Sequence, residues 1–238
     1  MRVKILANPR KDWAKQVAKE AKALLRKSGH RIITKGADAT ICIGGDGTIL
    51  YAGHKGRLEG PVLGIGGKTS YICQLRKNNW KRSLVRLLEK GKKQKIMTLS
   101  CSIAGRRFTV INDVVVHATN YRVATMQVAI GKRTREFEGD GVIVSTALGS
   151  AAYAYSAGAR KMRPTERKIS VVPICPYRRA FSSAVLPQNQ KVDIKVGSDC
   201  AFIMDGIFIR RLRKGERVVA RKGADMMFFE GAGKWVFK

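Results

Sequence analysis

The stretch ATICIGGDGTIL, residues 39–50, limits the possible folds more than any other part of the chain. Its apolar run, Ala39 to Ile43, stops abruptly at Gly44-Gly45-Asp46-Gly47-Thr48. A short apolar run cut off by turn residues reads as a buried strand. Glycine loses more conformational freedom on folding than any other residue, so three of them around one carboxylate mark a place where the backbone must be bare. In open α/β sheets, ligands bind beyond the carboxyl ends of the strands. A glycine-rich turn there lets backbone N–H groups approach phosphate oxygens, and the start of the next helix adds a positive dipole end. Asp46 does not suit a simple phosphate cradle. Its charge repels phosphate unless it binds Mg²⁺ or accepts a proton from an attacking hydroxyl. Phosphoryl transfer to an alcohol needs both functions. The simpler reading is a strand-to-helix turn with Asp46 as N-cap. That reading explains an Asp-Gly pair better than it explains Gly-Gly-Asp-Gly-Thr.

The first 95 residues alternate between strand and helix patterns. Residues 2–7, 31–34, 39–43 and 61–65 read as strands. Asp12 is expected to cap a helix to about Ser28, with Trp13, Val17, Ala21, Leu24 and Leu25 on one face and Gly29 past its end. A second helix starts near Asp46–Thr48 and fades by Lys55. A third is expected from Trp80 to Lys90 behind Asn79, with Leu84, Val85, Leu87 and Leu88 inside. This alternation predicts a mostly parallel sheet with helices on its faces. After the basic stretch Lys90 to Lys95 the pattern turns β-rich, with strands expected at 96–104, 107–117, 122–130, 142–146, 169–174, 191–196, 200–204, 207–212 and 217–221. The one strong helix candidate there is 149–158. Such spacing predicts an antiparallel, sandwich-like all-β domain. The expected division is an α/β domain at 1–95, carrying the Gly44–Thr48 loop, and a β-rich domain at 96–238.

Composition narrows the class. The chain has 238 residues, 45% of them hydrophobic, which suffices for a real core and argues against disorder. No apolar run nears the ~20 residues of a membrane helix. The apolar part of the N-terminus is too short for a signal peptide, so the expected compartment is the cytoplasm. The five cysteines form no C-x-x-C pair, and four lie in apolar runs, so they read as reduced core residues. His30, His54 and His117 are scattered, and no metal-ligating set is expected. The net charge is +30, from 47 Lys and Arg against 17 Asp and Glu. The excess is spread along the chain: residues 1–98 hold 23 basic and 6 acidic residues, and the remainder 24 and 11. It either attracts polyanions (nucleotides, polyphosphate, nucleic acid) or forms a solvated basic surface. No basic motif interleaved with aromatics marks a nucleic-acid groove, which makes nucleic acid the lesser expectation.

Three further stretches carry candidate chemistry. In GIGGKTSYIC, residues 64–73, Gly67-Lys68-Thr69 looks like the end of a P-loop, but the first glycine of that motif would fall at Val62. A P-loop is therefore rejected, and Lys68 stays a candidate phosphate contact. Asn112-Asp113 interrupts a strand with an amide and a carboxylate; a β-bulge or an exposed edge would do the same. Asp140 sits at a turn before a strand, and Gly149-Ser150 opens a small-residue helix containing Ala152, Tyr153 and Ser156. Such a helix start can lie against a planar ring or a ribose, or simply pack tightly.

Together these stretches resemble the NAD kinases, which phosphorylate the adenosine ribose 2′-hydroxyl of NAD. The family's G-G-D-G-T is Gly44–Thr48, and its Asn-acidic pair is Asn112-Asp113. Its D-G-x-I-V-S-T-P-T-G-S-T-A-Y run corresponds to Asp140–Tyr153, the most specific match, since lipid kinases and relatives of phosphofructokinase share G-G-D-G-T. Val172-Pro173-Ile174-Cys175-Pro176 with Val185-Leu186-Pro187, and Asp205-Gly206, match later segments. The resemblance implies an α/β domain followed by a β-rich nucleotide-binding domain. It implies Asp46 as general base or orienting carboxylate, and Gly44, Gly45, Gly47 and Thr48 at the phosphate donor, to which the residues themselves add Lys68 as a candidate. Asn112, Asp113, Asp140, Ser150, Ala152, Tyr153 and Ser156 would bind NAD. Mg²⁺ or another divalent cation would arrive with ATP. Polyphosphate is an alternative donor, and the assembly would be a dimer or tetramer. Two departures stand out. Leu148 and Ala151 lack hydroxyls the family places against the nucleotide, each worth ~0.5–1.5 kcal/mol as a hydrogen bond. Residues 64–73 replace the family's G-x-N-x-G-x-L-G-F-L. The leading reading is an NAD kinase. The alternative is a weakened relative that binds nucleotide or nucleic acid, with salt-sensitive affinity. A lipid or sugar kinase is weaker still, because no amphipathic membrane helix is evident.

Overall fold

Strands and helices alternate at the start of the chain: β1 (Arg2–Ala7), α1 (Asp12–Lys27), β2 (Arg31–Ile32), β3 (Ala39–Ile43), α2 (Asp46–His54), β4 (Val62–Gly66), β5 (Leu75–Arg76) and α3 (Leu84–Lys90). The computed structural model describes residues 1–120 and 122–230. Two compact units emerge, residues 1–95 with the chain from Met226, and residues 96–225.

In the first unit β1 to β5 pair in parallel, in the order β2-β1-β3-β4 with β5 beside β4. Ile5 lies opposite Ile41, and Ile41 opposite Leu63. All residues of β3 and β4 are buried, as a strand covered on both faces requires. Helix α1 buries Ala14, Val17, Ala18, Ala21 and Leu25 on one stripe. Its N-cap is Lys11 rather than the expected Asp12, which is the first helical residue and pairs with Lys15 at 2.9 Å. A carboxylate there complements the positive end of the helix dipole without capping it. The helix expected from Trp80 to Lys90 is split into a 3₁₀ turn, Trp80–Arg82, and α3. The break falls at Ser83 (φ −119°), a residue whose hydroxyl competes for backbone bonds.

The remaining described residues are mostly β-structure: β6 (Lys93–Ile103), β7 (Arg106–Val110), β8 (Asp113–Ala118), β9 (Ala124–Ile130), β10 (Arg133–Gly139), β11 (Gly141–Thr146), then α4 (Tyr153–Ser156), β12 (Lys168–Ile174), β13 (Ala184–Pro187), β14 (Val192–Val196), β15 (Cys200–Met204), β16 (Ile207–Leu212) and β17 (Arg217–Phe229). Within the second unit one sheet runs β10-β9-β14-β17, continuing to β6 and β7, and the other runs β13-β12-β11-β8-β15-β16. Residues on facing sides of the two sheets share one core, including Met126, Val128, Ile194 and Val218 from the first and Val116, Val144, Val171 and Phe202 from the second. Phe108 meets Phe202 edge to face at 6.3 Å. The other side of the second sheet packs Val115, Ile143 and Val172 against Ala154 and Ala159.

The sequence gives no strong signal for β5, β10 or β13. Strand β10 (RTREFEG) has only Phe137 and Gly139 buried, so its pattern is nearly all polar. The expected helix at 149–158 is instead a 3₁₀ turn, Gly149–Ala151, followed by the single turn α4. Ala152 (φ −99°, ψ −127°) separates them, and Gly149 lies so close to the Asn112 carbonyl that a side chain would not fit. Strand β17 outruns its expected end at residue 221, and Phe228 pairs in parallel with Val62 of β4. The residues from Met226 thus group with the first unit, whereas the sequence reading gave all of 96–238 to the second domain. Among the described residues no helix is long and apolar enough to cross a membrane.

Candidate active site

At the carboxyl end of β3 the chain turns through Gly44 (φ +146°) and Gly45 (φ +105°) into α2. Side chains rarely adopt such angles, and a Cβ on Gly44 would stand 2.5 Å from Asn8 Cβ and run into the Thr48 hydroxyl. The turn delivers Asp46 as the first helical residue. Its carboxylate accepts three successive backbone N–H groups: Tyr71 at 2.5 Å on Oδ2, and Ile72 at 2.9 Å and Cys73 at 3.3 Å on Oδ1. The Cys73 thiol also bonds to this carboxylate; burial and then the Asp46 charge push the thiol pKa far up. Residues 64–73, the segment that departs from the expected pattern, therefore wrap Asp46. Ser70 fills the space beside two glycines: a Cβ on Gly66 would be 2.5 Å from Ser70 Cβ, and one on Gly45 would be 3.0 Å from Ser70 Oγ.

Lys11, from the loop after β1, donates from Nζ to the Gly44 carbonyl at 2.7 Å. Asn8, Pro9, Arg10, Gly47, Thr48, Tyr51 and Arg57 help line a cavity of about 710 Å³ in this unit, and no carboxylate lines it. Lys68 is exposed in the segment following β4 and is in no ion pair among the described residues.

A second cluster lies in the β-rich unit. Asp205, at the turn between β15 and β16 with φ +50°, accepts the backbone N–H groups of Ile111 (3.0 Å), Asn112 (2.6 Å) and Asp113 (3.2 Å). The segment from β7 into β8 carries the buried Asn112 and Asp113. Burial first, and the Asp205 charge second, push the Asp113 carboxyl up to about 7. The Asn112 Oδ1 is buried and has no hydrogen-bond partner among the described residues, an acceptor left open. Tyr153 feels Cys175, Asp113 and Asp140; these charges and burial, the largest cause, raise its phenol. Cys175 is exposed, and its bond to Asp140 is the main reason its thiol pKa is raised. The other four cysteines are free and buried.

The structure thus brings Asn112, Asp113, Asp140 and Tyr153 together. Ala152 and Ser156 are exposed on the same short segment as Tyr153. Ser150 behaves differently: it is fully buried, donates to the Ala147 carbonyl at 2.7 Å and accepts the Met162 N–H at 2.8 Å. Leu148 is 1% exposed, so the missing hydroxyl at that position falls in the core. Sequence reasoning missed Lys11, Ser70 and Cys73. One lysine among 47 basic residues carries no distinguishing pattern, and the other two matter through contacts with residues distant in the chain.

Residues 3–92 match the family model described as the ATP-NAD kinase N-terminal domain, and residues 111–228 the ATP-NAD kinase C-terminal domain. The chain is 33% identical over 200 residues to the NAD kinase of Clostridium perfringens, covering 79% of this chain and 72% of that one. It is 32% identical over 215 residues to the NAD kinase of Thermoplasma volcanium, covering 87% and 78%. The chain belongs to the NAD kinase family. In fold it is similar to an Archaeoglobus fulgidus NAD kinase solved with ATP (TM-score 0.84, 20% identity, 98% of this chain and 94% of that one). It is likewise similar to a yeast NADH kinase solved with NADH (TM-score 0.90, 18% identity, 99% and 84%).

A kinase of this family that uses ATP is consistent with a divalent cation, but the described residues do not build a site for one. No group of three or more His, Cys, Asp or Glu among them could hold a metal ion. Asp46, the carboxylate nearest the glycine turn in sequence, accepts three backbone amides and has no second carboxylate grouped with it among the described residues. The donor's own phosphates are the better ligands for Mg²⁺.

Proposed function

We propose that this NAD kinase family member transfers the γ-phosphoryl group of ATP to the 2′-hydroxyl of the adenosine ribose of NAD, giving NADP. The observation that carries the reading is the anchored Asp46 at the end of β3. An ionised carboxylate offers about four acceptor positions. Two amides occupy Oδ1 and one occupies Oδ2, so Oδ2 has capacity left. The Cys73 thiol that also touches the carboxylate is a weak donor, easily displaced by a sugar hydroxyl. Asp46 then orients the 2′-hydroxyl and takes its proton. The 2′-oxygen forms a bond to the γ-phosphorus, the bond to the β-phosphate oxygen breaks, and ADP leaves. Fixing the carboxylate through three amides keeps the acceptor oxygen in line, and positioning supplies most of the catalysis in phosphoryl transfer.

The donor phosphates fit the cavity beside Gly47 and Thr48, where Arg10 and Arg57 supply positive charge. Asn112 Oδ1, Asp113, Asp140 and Tyr153 are the proposed contacts for NAD, with Ala152 and Ser156 alongside and Ser150 supporting from within. Polyphosphate is the alternative donor, which the +30 charge favours. A cytoplasmic homo-oligomer is the proposed setting. Purified protein mixed with NAD and ATP should form NADP, and Asp46→Asn should lower kcat by roughly 10²–10⁴-fold. Equal rates for the two proteins would overturn the role of Asp46, and no NADP from the unaltered protein would overturn the activity. An unchanged ATP-induced thermal shift in Asp46→Asn would confirm that the donor site is intact.

A further inference from the structure

Lys11 is exposed, yet its side chain is held in place. Its ammonium donates to the Gly44 carbonyl at 2.7 Å and lies 5.9 Å from the centroid of the Trp13 ring. A Cβ on Gly45 would come within 3.9 Å of it, so the charge sits against the Gly44–Gly45 turn. Lys77 brings a second ammonium to the same ring, also at 5.9 Å, and its backbone N–H donates to the Gly66 carbonyl at 2.8 Å. Neither lysine forms an ion pair among the described residues. Both ammoniums lie near the Trp13 ring with no ion-pair partner among the described residues, so each keeps donors for an anion. A lysine ammonium has three donors. The Gly44 carbonyl uses one of the three on Lys11, which fixes the head while two remain for phosphate oxygens. The neighbouring cavity, lined by Asn8, Pro9 and Arg10 of the same loop, holds no carboxylate to compete.

We infer that Lys11, seconded by Lys77, binds the terminal phosphates of the nucleoside triphosphate donor. This rests on the reading of the Gly44–Thr48 turn as the donor site.

The test is steady-state kinetics on the full chain, paired with ATP-induced thermal shifts, for Lys11→Met, Lys11→Arg and Lys22→Met. Lys22 is an exposed lysine on α1 and controls for the loss of one charge from so basic a protein. Lys11→Met should raise KM for ATP tenfold or more, leave KM for NAD within twofold, and shrink the ATP-induced shift. Lys11→Arg should recover part of the loss, and Lys22→Met should change KM for ATP less than twofold. An unchanged KM for ATP in Lys11→Met, an equal rise in both KM values, or an equal effect of Lys22→Met would overturn the proposal. If Lys11→Met does not fold, Lys11→Gln decides: a rise in KM confined to ATP supports the proposal, and no change overturns it. If the unaltered protein makes no NADP, the kinase reading fails by itself. The ATP-induced shift still judges Lys11, its loss in Lys11→Met supporting the proposal and its persistence overturning it.

Discussion

Asp46 and Asp205 solve the same local problem in different units: each carboxylate gathers three consecutive backbone N–H groups of a distant turn, 71–73 in one case and 111–113 in the other. A third aspartate shows the electrostatic consequence. Asp113 is buried beside Asp205, and its carboxyl titrates near 7 instead of 3.8. The sign follows from linkage. Between those two values the folded chain holds a proton that the unfolded chain has lost, so raising the pH through that window removes stability. The contribution is fully present below about pH 4 and gone above about pH 7, and is on the order of 4 kcal/mol. Paired acids such as Asp38 and Glu59, whose pKa values are lowered by hydrogen bonds to Arg2 and Lys4, act in the opposite sense. The informative quantity is therefore the difference between Asp113→Asn and the unaltered protein in urea unfolding from pH 4 to 8. The variant should gain relative stability as pH rises to 7. A constant difference across the range would show that Asp113 does not titrate there.

The segment 64–73 departs from the resembled pattern, and its residues fit one another. Where the resembled pattern has Asn and Leu, this chain has Gly66 and Ser70, and the two fit each other: the serine side chain occupies the space a side chain at 66 would need. Gly66→Ala should cost ~1–3 kcal/mol by overpacking. Gly66→Ala combined with Ser70→Gly should cost less than the sum of the single changes, with a coupling of at least ~0.5 kcal/mol in chemical denaturation. Strict additivity would mean that the two positions do not touch. The example also explains what the sequence could and could not disclose. Strand β3, the Gly44–Thr48 turn and α2 were legible because local composition alone dictates them. The bonds from Tyr71, Ile72 and Cys73 to Asp46 were not, since backbone donors have no signature in side-chain order. Nor was the split at Ala152, where a contact between Gly149 and the Asn112 carbonyl overrides the helix propensity of an alanine-rich stretch. Strand β10 escaped because an edge strand with few buried side chains looks like a loop.

Taken over the full chain, charge is the property that local patterns explain least. Forty-seven basic residues face seventeen acids, so repulsion must outweigh attraction at low ionic strength. The ion pairs that do form, such as Arg2–Asp38 and Arg217–Asp193, are partly exposed and contribute modestly. Salt acts on both terms, because the Debye length is only about 10 Å at 0.1 M. If self-repulsion dominates, added NaCl stabilises the fold; if ion pairs dominate, it weakens it. The excess of thirty positive charges favours the first outcome. Raising NaCl from 20 to 300 mM should increase Tm, and a gain of ~1 kcal/mol corresponds to roughly 2–4 °C for a chain of this size. The same salt should weaken ATP binding, since a donor held by Lys11, Arg10 and Arg57 is held by charge. Stability and donor affinity therefore move in opposite directions along one salt series, measured by calorimetry and by KM for ATP. A fall in Tm would show that ion pairs outweigh self-repulsion in the fold, and a KM for ATP that does not move with salt would show that charge does not hold the donor.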